Sequence, residues 1–291
     1  MAGVFTTSFA EYESRVKVIS PSLLKRITNW LVDTSLFEEA WKKACTGSVN
    51  WWWSEQICTY VAGPWTVFLF VQAQRYRIKH LWAYMLLGQL VAISVASNLF
   101  YLALILSGWQ FRTLKRQPST APPVLWASVL LSLVTVANSP YTTDSSFLLN
   151  LLIMHALLII PLFFTNREGQ YSSQLNLPYS ALSMVLYVFI LVLRVKTTLA
   201  GIRSVTDSSL WQGLTPFCKS VLTVLHSHPA QASIGWDVIW TSISFAIWTC
   251  LDQGFSIVPF SALLVSAGVV APWFAASRAE LEEMEQATKT E

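Results

Sequence analysis

Apolar runs close to the ~20 residues that carry a helix across ~30 Å of hydrocarbon recur between residues 51 and 276. Seven can be drawn: Trp51–Ala73, Leu81–Leu106, Pro122–Ala137, Ser146–Phe164, Tyr179–Leu193, Ser233–Leu251 and Ile257–Ala276. The third and fifth are short. Breakers stand between them, including Gln117-Pro118, Asn138-Ser139-Pro140, His228-Pro229 and Asp252-Gln253-Gly254. In lipid no water satisfies the backbone, and a helix is the open-ended element that satisfies its own. The expected fold class is therefore all-α: a polytopic transmembrane helical bundle of about seven spanning helices.

Composition points the same way. Charged residues make up 12% of the chain, about half the share of a soluble domain, and the mean hydropathy is +0.48. Several of the 14 Trp residues stand near run ends, where an apolar ring with one polar N–H suits a membrane interface. A net charge of +3 gives no reason to expect a nucleic-acid partner. Lys and Arg divide almost evenly between the two sides that seven spans would define, so the positive-inside rule leaves orientation open. The first twenty residues carry Glu11, Glu13, Arg15 and Lys17 and lack the apolar core of a cleaved signal peptide, so the first span is expected to act as its own membrane signal.

Three regions follow. Residues 1–49 mix Leu23, Leu24, Ile27, Trp30 and Leu31 with Lys25, Arg26, Lys42 and Lys43, a pattern that fits amphipathic helices on the membrane surface or a soluble cap. Residues 50–277 hold the seven-helix transmembrane domain. Residues 278–291 form an acidic, helix-prone tail. Within the second region, the connection from Arg194 to Ala232 carries Leu214, Phe217, Val221 and Val224 at helical spacing and reads as a surface or re-entrant helix.

An ionisable group inside a span is costly and so is a functional candidate. Glu55 lies near one end of the first run, with Trp51 and Trp52 four and three residues before it and Thr59 four after, on one helical face. Asp237 opens a stripe that continues through Trp240, Ser244 and Trp248. It could equally serve a helix N-terminus, where the dipole favours negative charge. Asp252 ends the same run and reads as a loop residue. Asn98 and Tyr101 share a face with Ser94 in the second run and fit either substrate contact or interhelical hydrogen bonding. His155 stands alone mid-run and is expected to bond a neighbouring helix, while His226 and His228 lack a third ligand nearby. Cys45, Cys58, Cys218 and Cys250 have no metal-type or disulfide spacing. No P-loop, GxSxG, HExxH or aspartate-rich diphosphate motif occurs, and the last run has no lysine for a retinal Schiff base. Neither metal nor cofactor is expected. What remains is carboxyl groups among aromatic rings. A carboxyl group can protonate an epoxide or alkene, and aromatic faces stabilise the resulting cation at roughly 0.5–2 kcal/mol each.

The seven-run layout, the acid in the Trp-rich segment NWWWSEQICTYVAGPW, the late aspartate and the segment LHSHPAQASIGWDVIW are similar to the small fungal integral-membrane terpene cyclases of meroterpenoid and indole-diterpene pathways. The resemblance runs from about residue 50 to residue 276. It implies a metal-independent cyclase (an isomerase- or lyase-type enzyme of secondary-metabolite biosynthesis) embedded in the endoplasmic reticulum. It also implies an acid–base pair at Glu55 and Asp237 and a lipid-soluble prenylated or epoxidised substrate; the aromatic and polar faces read above would place that substrate against Trp51, Trp52, Asn98, Tyr101, Trp240 and Trp248. Membrane lipid would be the other partner. A sterol-type double-bond isomerase would use the same parts. A non-catalytic seven-span transporter or receptor-like protein is the alternative of a different class.

Overall fold

A computed structural model describes residues 2–16, 21–34, 36–108, 120–163, 175–206 and 210–276; the tail expected at 278–291 and the Gln117-Pro118 breaker lie outside them. The described chain is all-α apart from one clasp, in which β1 (Thr120–Ala121) pairs antiparallel with β2 (Leu177–Pro178). The helices are α1 (Ala2–Arg15), α2 (Leu23–Asp33), α3 (Leu36–Cys45), α4 (Ser48–Tyr60), α5 (Thr66–Tyr76), α6 (Leu81–Leu90), α7 (Ile93–Leu106), α8 (Pro123–Asn138), α9 (Phe147–Ile159), α10 (Tyr179–Val205), α11 (Leu210–Leu225), α12 (Pro229–Gln253) and α13 (Ala267–Ala276). Among the described residues, three helical stretches are long and apolar enough to cross a membrane: Pro123–Tyr141, Tyr179–Val205 and Pro229–Asp252.

The chain divides into two compact units. One joins Met1–Ser54 with Ala200–Trp236, and the other joins Glu55–Leu199 with Asp237–Glu291. The N-terminal region therefore packs with the stretch around α11.

In the first unit, Trp30 of α2 is buried and meets Phe9 edge-on at 5.4 Å between ring centres. Arg26 pairs with Glu13 and holds that carboxyl below its ordinary value, chiefly through their hydrogen bond. The Tyr12 hydroxyl donates to Asp33 at 2.5 Å. Leu23, Leu24, Leu31 and Val32 are exposed, so α2 presents an apolar face outward. In α3, burial pushes the Cys45 thiol up to about 12, which makes it inert as a nucleophile near neutrality. The expected apolar face of α11 is only partly covered. Phe217 and Val221 are buried, whereas Leu214 and Trp211 are exposed. Phe217 meets Trp52 edge-on at 5.6 Å, and the Trp53 indole N–H donates to the Val221 carbonyl at 3.1 Å. Gly201 permits this packing, because a Cβ there would lie 2.5 Å from the Phe217 ring.

In the second unit, three of the expected runs are less regular than a single helix each. The first passes through a π turn at Val61–Trp65, where Pro64 removes a backbone donor and widens the ladder. Thr66 Oγ1 takes up the Val61 carbonyl at 2.7 Å. The second is not one helix. It breaks at Val91-Ala92 into α6 and α7, with Ala92 in an extended conformation. The last consists of a 3-10 segment, Val258–Leu263, followed by the short α13. The fifth run, by contrast, continues well past Leu193. Helical geometry carries through Arg194 to Val205, because a charged side chain that finds partners does not end a helix. The turn between α8 and α9 is tied by Asn150, whose amide donates to the Thr135 carbonyl at 3.0 Å and to Ser139 Oγ at 3.1 Å. His155 Nδ1 lies 2.7 Å from the Leu151 carbonyl of its own helix.

Candidate functional site: an aromatic chamber and the acids around it

The second unit contains a cavity of about 120 Å³. Its walls come from the end of α4 (Tyr60), from the π turn and α5 (Pro64, Phe68, Gln72), from α7 (Tyr101), from α10 (Tyr179, Ser183), from the last turns of α12 (Phe245, Trp248, Thr249, Asp252) and from α13 (Ala271, Pro272, Phe274, Ala275). The π turn contributes directly, since the wide turn re-aims the residues on either side of Pro64. Tyr101 and Trp248 stack with centroids 4.6 Å apart and planes 4° from parallel. Phe68 stands edge-on to both, at 5.9 Å and 6.3 Å. Trp65 extends the cluster, edge-on to Tyr101 at 6.3 Å. Such packing fixes the orientation of the rings and leaves π faces for a cationic or unsaturated guest.

Of the residues expected to contact a substrate, Tyr101 and Trp248 meet in this chamber. Asn98 does not line it; its amide donates to Ser244 Oγ at 2.9 Å and to the Ser94 carbonyl at 2.8 Å, joining α7 to α12. Trp240 is more than half exposed. Trp51 and Trp52 belong to the first unit, where Trp51 is buried and Trp52 packs on Phe217.

Neither of the two expected acid–base groups is among the lining residues. Glu55 is fully buried, and its Oε2 accepts from Arg194 Nη1 at 3.1 Å, while Thr59 Oγ1 lies 3.3 Å from Oε1. Arg194, also buried, donates through Nε to the Val265 carbonyl at 2.8 Å. Glu55 is thus engaged by Arg194 and Thr59 in the interior of the unit and does not line the chamber. Asp237 caps a helix, though not its own: its two carboxylate oxygens accept from the Ile93 and Ser94 amides at 2.9 Å and 2.8 Å. These amides are the orphan donors created by the break before α7, and the dipole there favours the negative charge. Asp237→Ala is expected to destabilise the fold by about 1–2 kcal/mol, whereas Asp237→Asn retains one acceptor and loses less. Thermal unfolding of the two variants in detergent measures the difference, and equal melting of both with wild type would remove the capping role.

The acid that does line the chamber is Asp252, 7% exposed in the last turn of α12. The sequence contained a signal for it. Asp252 follows Trp248 by four residues and so shares its helical face, a spacing masked by the neighbouring Gln253-Gly254 breaker. Arg194 was obscured in the same way, by its place at the end of an apolar run. Among the described residues no group of three or more His, Cys, Asp or Glu side chains is placed to hold a metal ion. Chemically, the arrangement offers one carboxyl group beside fixed aromatic faces, with Gln72, Ser183 and Thr249 adding polar groups to the wall. Comparison of the chain with protein-family models, curated proteins and solved structures finds no match.

Proposed function

We propose that this chain is a multi-pass protein of the endoplasmic reticulum membrane, its apolar runs crossing about seven times, that cyclises a lipid-soluble prenyl chain by acid-initiated chemistry. The observation that carries this reading is the chamber itself, in which a buried carboxyl group, Asp252, shares a wall with stacked Tyr101 and Trp248. In this reading Asp252 replaces Glu55 and Asp237 as the proton donor, since it is the carboxyl group that lines the chamber.

The chemistry balances within the substrate. The Asp252 carboxyl gives its proton to an epoxide oxygen or alkene carbon, opening the C–O or C=C bond and leaving a tertiary cation. A neighbouring double bond attacks that centre, forming a ring C–C bond and moving the positive charge along the chain. Loss of a proton from the adjacent carbon to the Asp252 carboxylate forms an alkene and restores the acid. The product is an isomer of the substrate. The π faces of Tyr101, Trp248 and Phe68 stabilise the moving charge at roughly 0.5–2 kcal/mol each.

The test is to reconstitute the protein in lipid nanodiscs with farnesylated phenols, plain and epoxidised, and to look for products of unchanged mass and new retention time. Product that persists with chelator is expected. The absence of any isomer from either substrate class would overturn the proposal. The helix break capped by Asp237 favours a second reading, because discontinuous helices in the bilayer are a transporter feature. Uptake of prenylated phenol into proteoliposomes without chemical change would favour that reading.

A further inference from the structure

The segment joining α12 to α13 is unusual in what it exposes. Phe255 is 90% exposed and Leu264 84%, with Ile257, Val258 and Leu263 also outward. On a surface meeting water, such a run of large apolar side chains would be an aggregation liability. Here it is covalently continuous with the chamber at both ends. Thr249 and Asp252 line the cavity just before it, and Ala271, Pro272 and Phe274 line it just after. Both ends carry residues of positive φ. Gly254 has φ +92°, and Ser266 has φ +150°, a conformation an L-residue adopts only under constraint. The segment is ordered by its own 3-10 hydrogen bonds, with Pro259 and Ala262 buried on its inner side; Cys250 Sγ donates to the Ser256 carbonyl at 3.3 Å, and the Val265 carbonyl accepts from Arg194. Arg194 is in turn fixed by Glu55.

We propose that the apolar segment Phe255–Val265 dips into the bilayer and is the entrance through which a lipid-soluble ligand passes from the acyl chains into the chamber, with Glu55 and Arg194 as positioning residues that latch its C-terminal end. The occupant of its outer face is lipid, because the segment follows directly on the apolar stretch Pro229–Asp252, long enough to span a membrane, and carries no charged residue of its own. Seated in hydrocarbon, the exposed Phe and Leu side chains are solvated by acyl chains rather than by water. A guest dissolved in the membrane then reaches Asp252 without crossing the aqueous phase. This rests on the chamber being a ligand site and does not require that the ligand be cyclised.

Two measurements test it, both in a Cys218→Ser background, which removes the exposed native thiol. First, Phe255→Cys and Leu264→Cys are labelled with an environment-sensitive fluorophore in nanodiscs, with Ser145→Cys in the exposed α8–α9 turn as the aqueous reference. Nitroxide lipids are expected to quench the first two labels at least twice as strongly as the reference, with the order reversed for aqueous iodide. Iodide quenching of all three to the same extent overturns bilayer insertion. Second, Ala271→Cys places a thiol on the chamber wall. A lipid-soluble maleimide is expected to modify it, and the Phe255→Asp/Leu264→Asp pair is expected to slow that modification about tenfold. The conservative Phe255→Leu/Leu264→Ile pair should preserve the rate, which separates the entrance from a general loss of fold. A rate indifferent to the aspartates overturns the entrance role. Neither readout depends on turnover, so a cyclase assay that fails while both signals hold removes the catalytic reading and leaves the entrance.

Discussion

Arg194→Leu is expected to lower the stability of the fold by about 3–5 kcal/mol, the range for removing one partner of a buried ion pair. The size of the effect comes from what is left behind. Glu55 has no solvent contact, and without the guanidinium its carboxylate keeps only Thr59 nearby. The Val265 carbonyl loses its donor as well, so the start of α13 should loosen with it. The expected signature is a lower melting temperature in detergent and faster proteolysis around residues 258–267. The double variant Glu55→Leu/Arg194→Leu should recover at least half of the loss, because a buried pair exchanged for apolar side chains is often neutral. Losses that simply add, as for independent sites, would show that the two side chains do not support one another.

Asp252→Asn carries the second large effect. If Asp252 gives the initiating proton, the amide keeps the shape of the side chain but has no acid to offer, and product formation should fall by about 10²–10⁴-fold. Binding of the substrate should change little, since the aromatic walls are untouched. Tyr101→Leu is expected to act differently: it removes the partner that stacks on Trp248 and should weaken binding and turnover together. Asp237→Asn and Glu55→Gln are the informative controls. Loss of product in either, with wild-type melting and with Asp252→Asn fully active, would return the chemistry to the pair that the resemblance implies.

Much of the architecture was legible in the chain. The apolar runs, the scarcity of charge and the Pro and Gly punctuation lead to an all-α fold with helices long and apolar enough to cross a membrane, because helix is what an uninterrupted apolar segment can form in lipid. The reading was less good at the breaks. Val91-Ala92 bears no Pro or Gly, and nothing local marks it as the end of a helix. It is stable because Asp237, far along the sequence, supplies acceptors to the freed amides. Arg194 misled in the opposite sense: a charge at the edge of an apolar run looks like a loop, yet the helix runs on because Glu55 and Val265 satisfy the guanidinium.

The candidate site divides in the same way. Helical spacing was enough to put Tyr101 on a polar face and Trp248 on a stripe, and it would have put Asp252 with Trp248. It could not decide which carboxyl groups are already occupied, since their partners lie 139 to 144 residues away in the chain. Composition and periodicity alone determine solvent and secondary structure, because these depend on each residue and its near neighbours. Which acid lines the chamber was decided only when distant helices packed, because the surroundings of a carboxyl group depend on the elements brought to it.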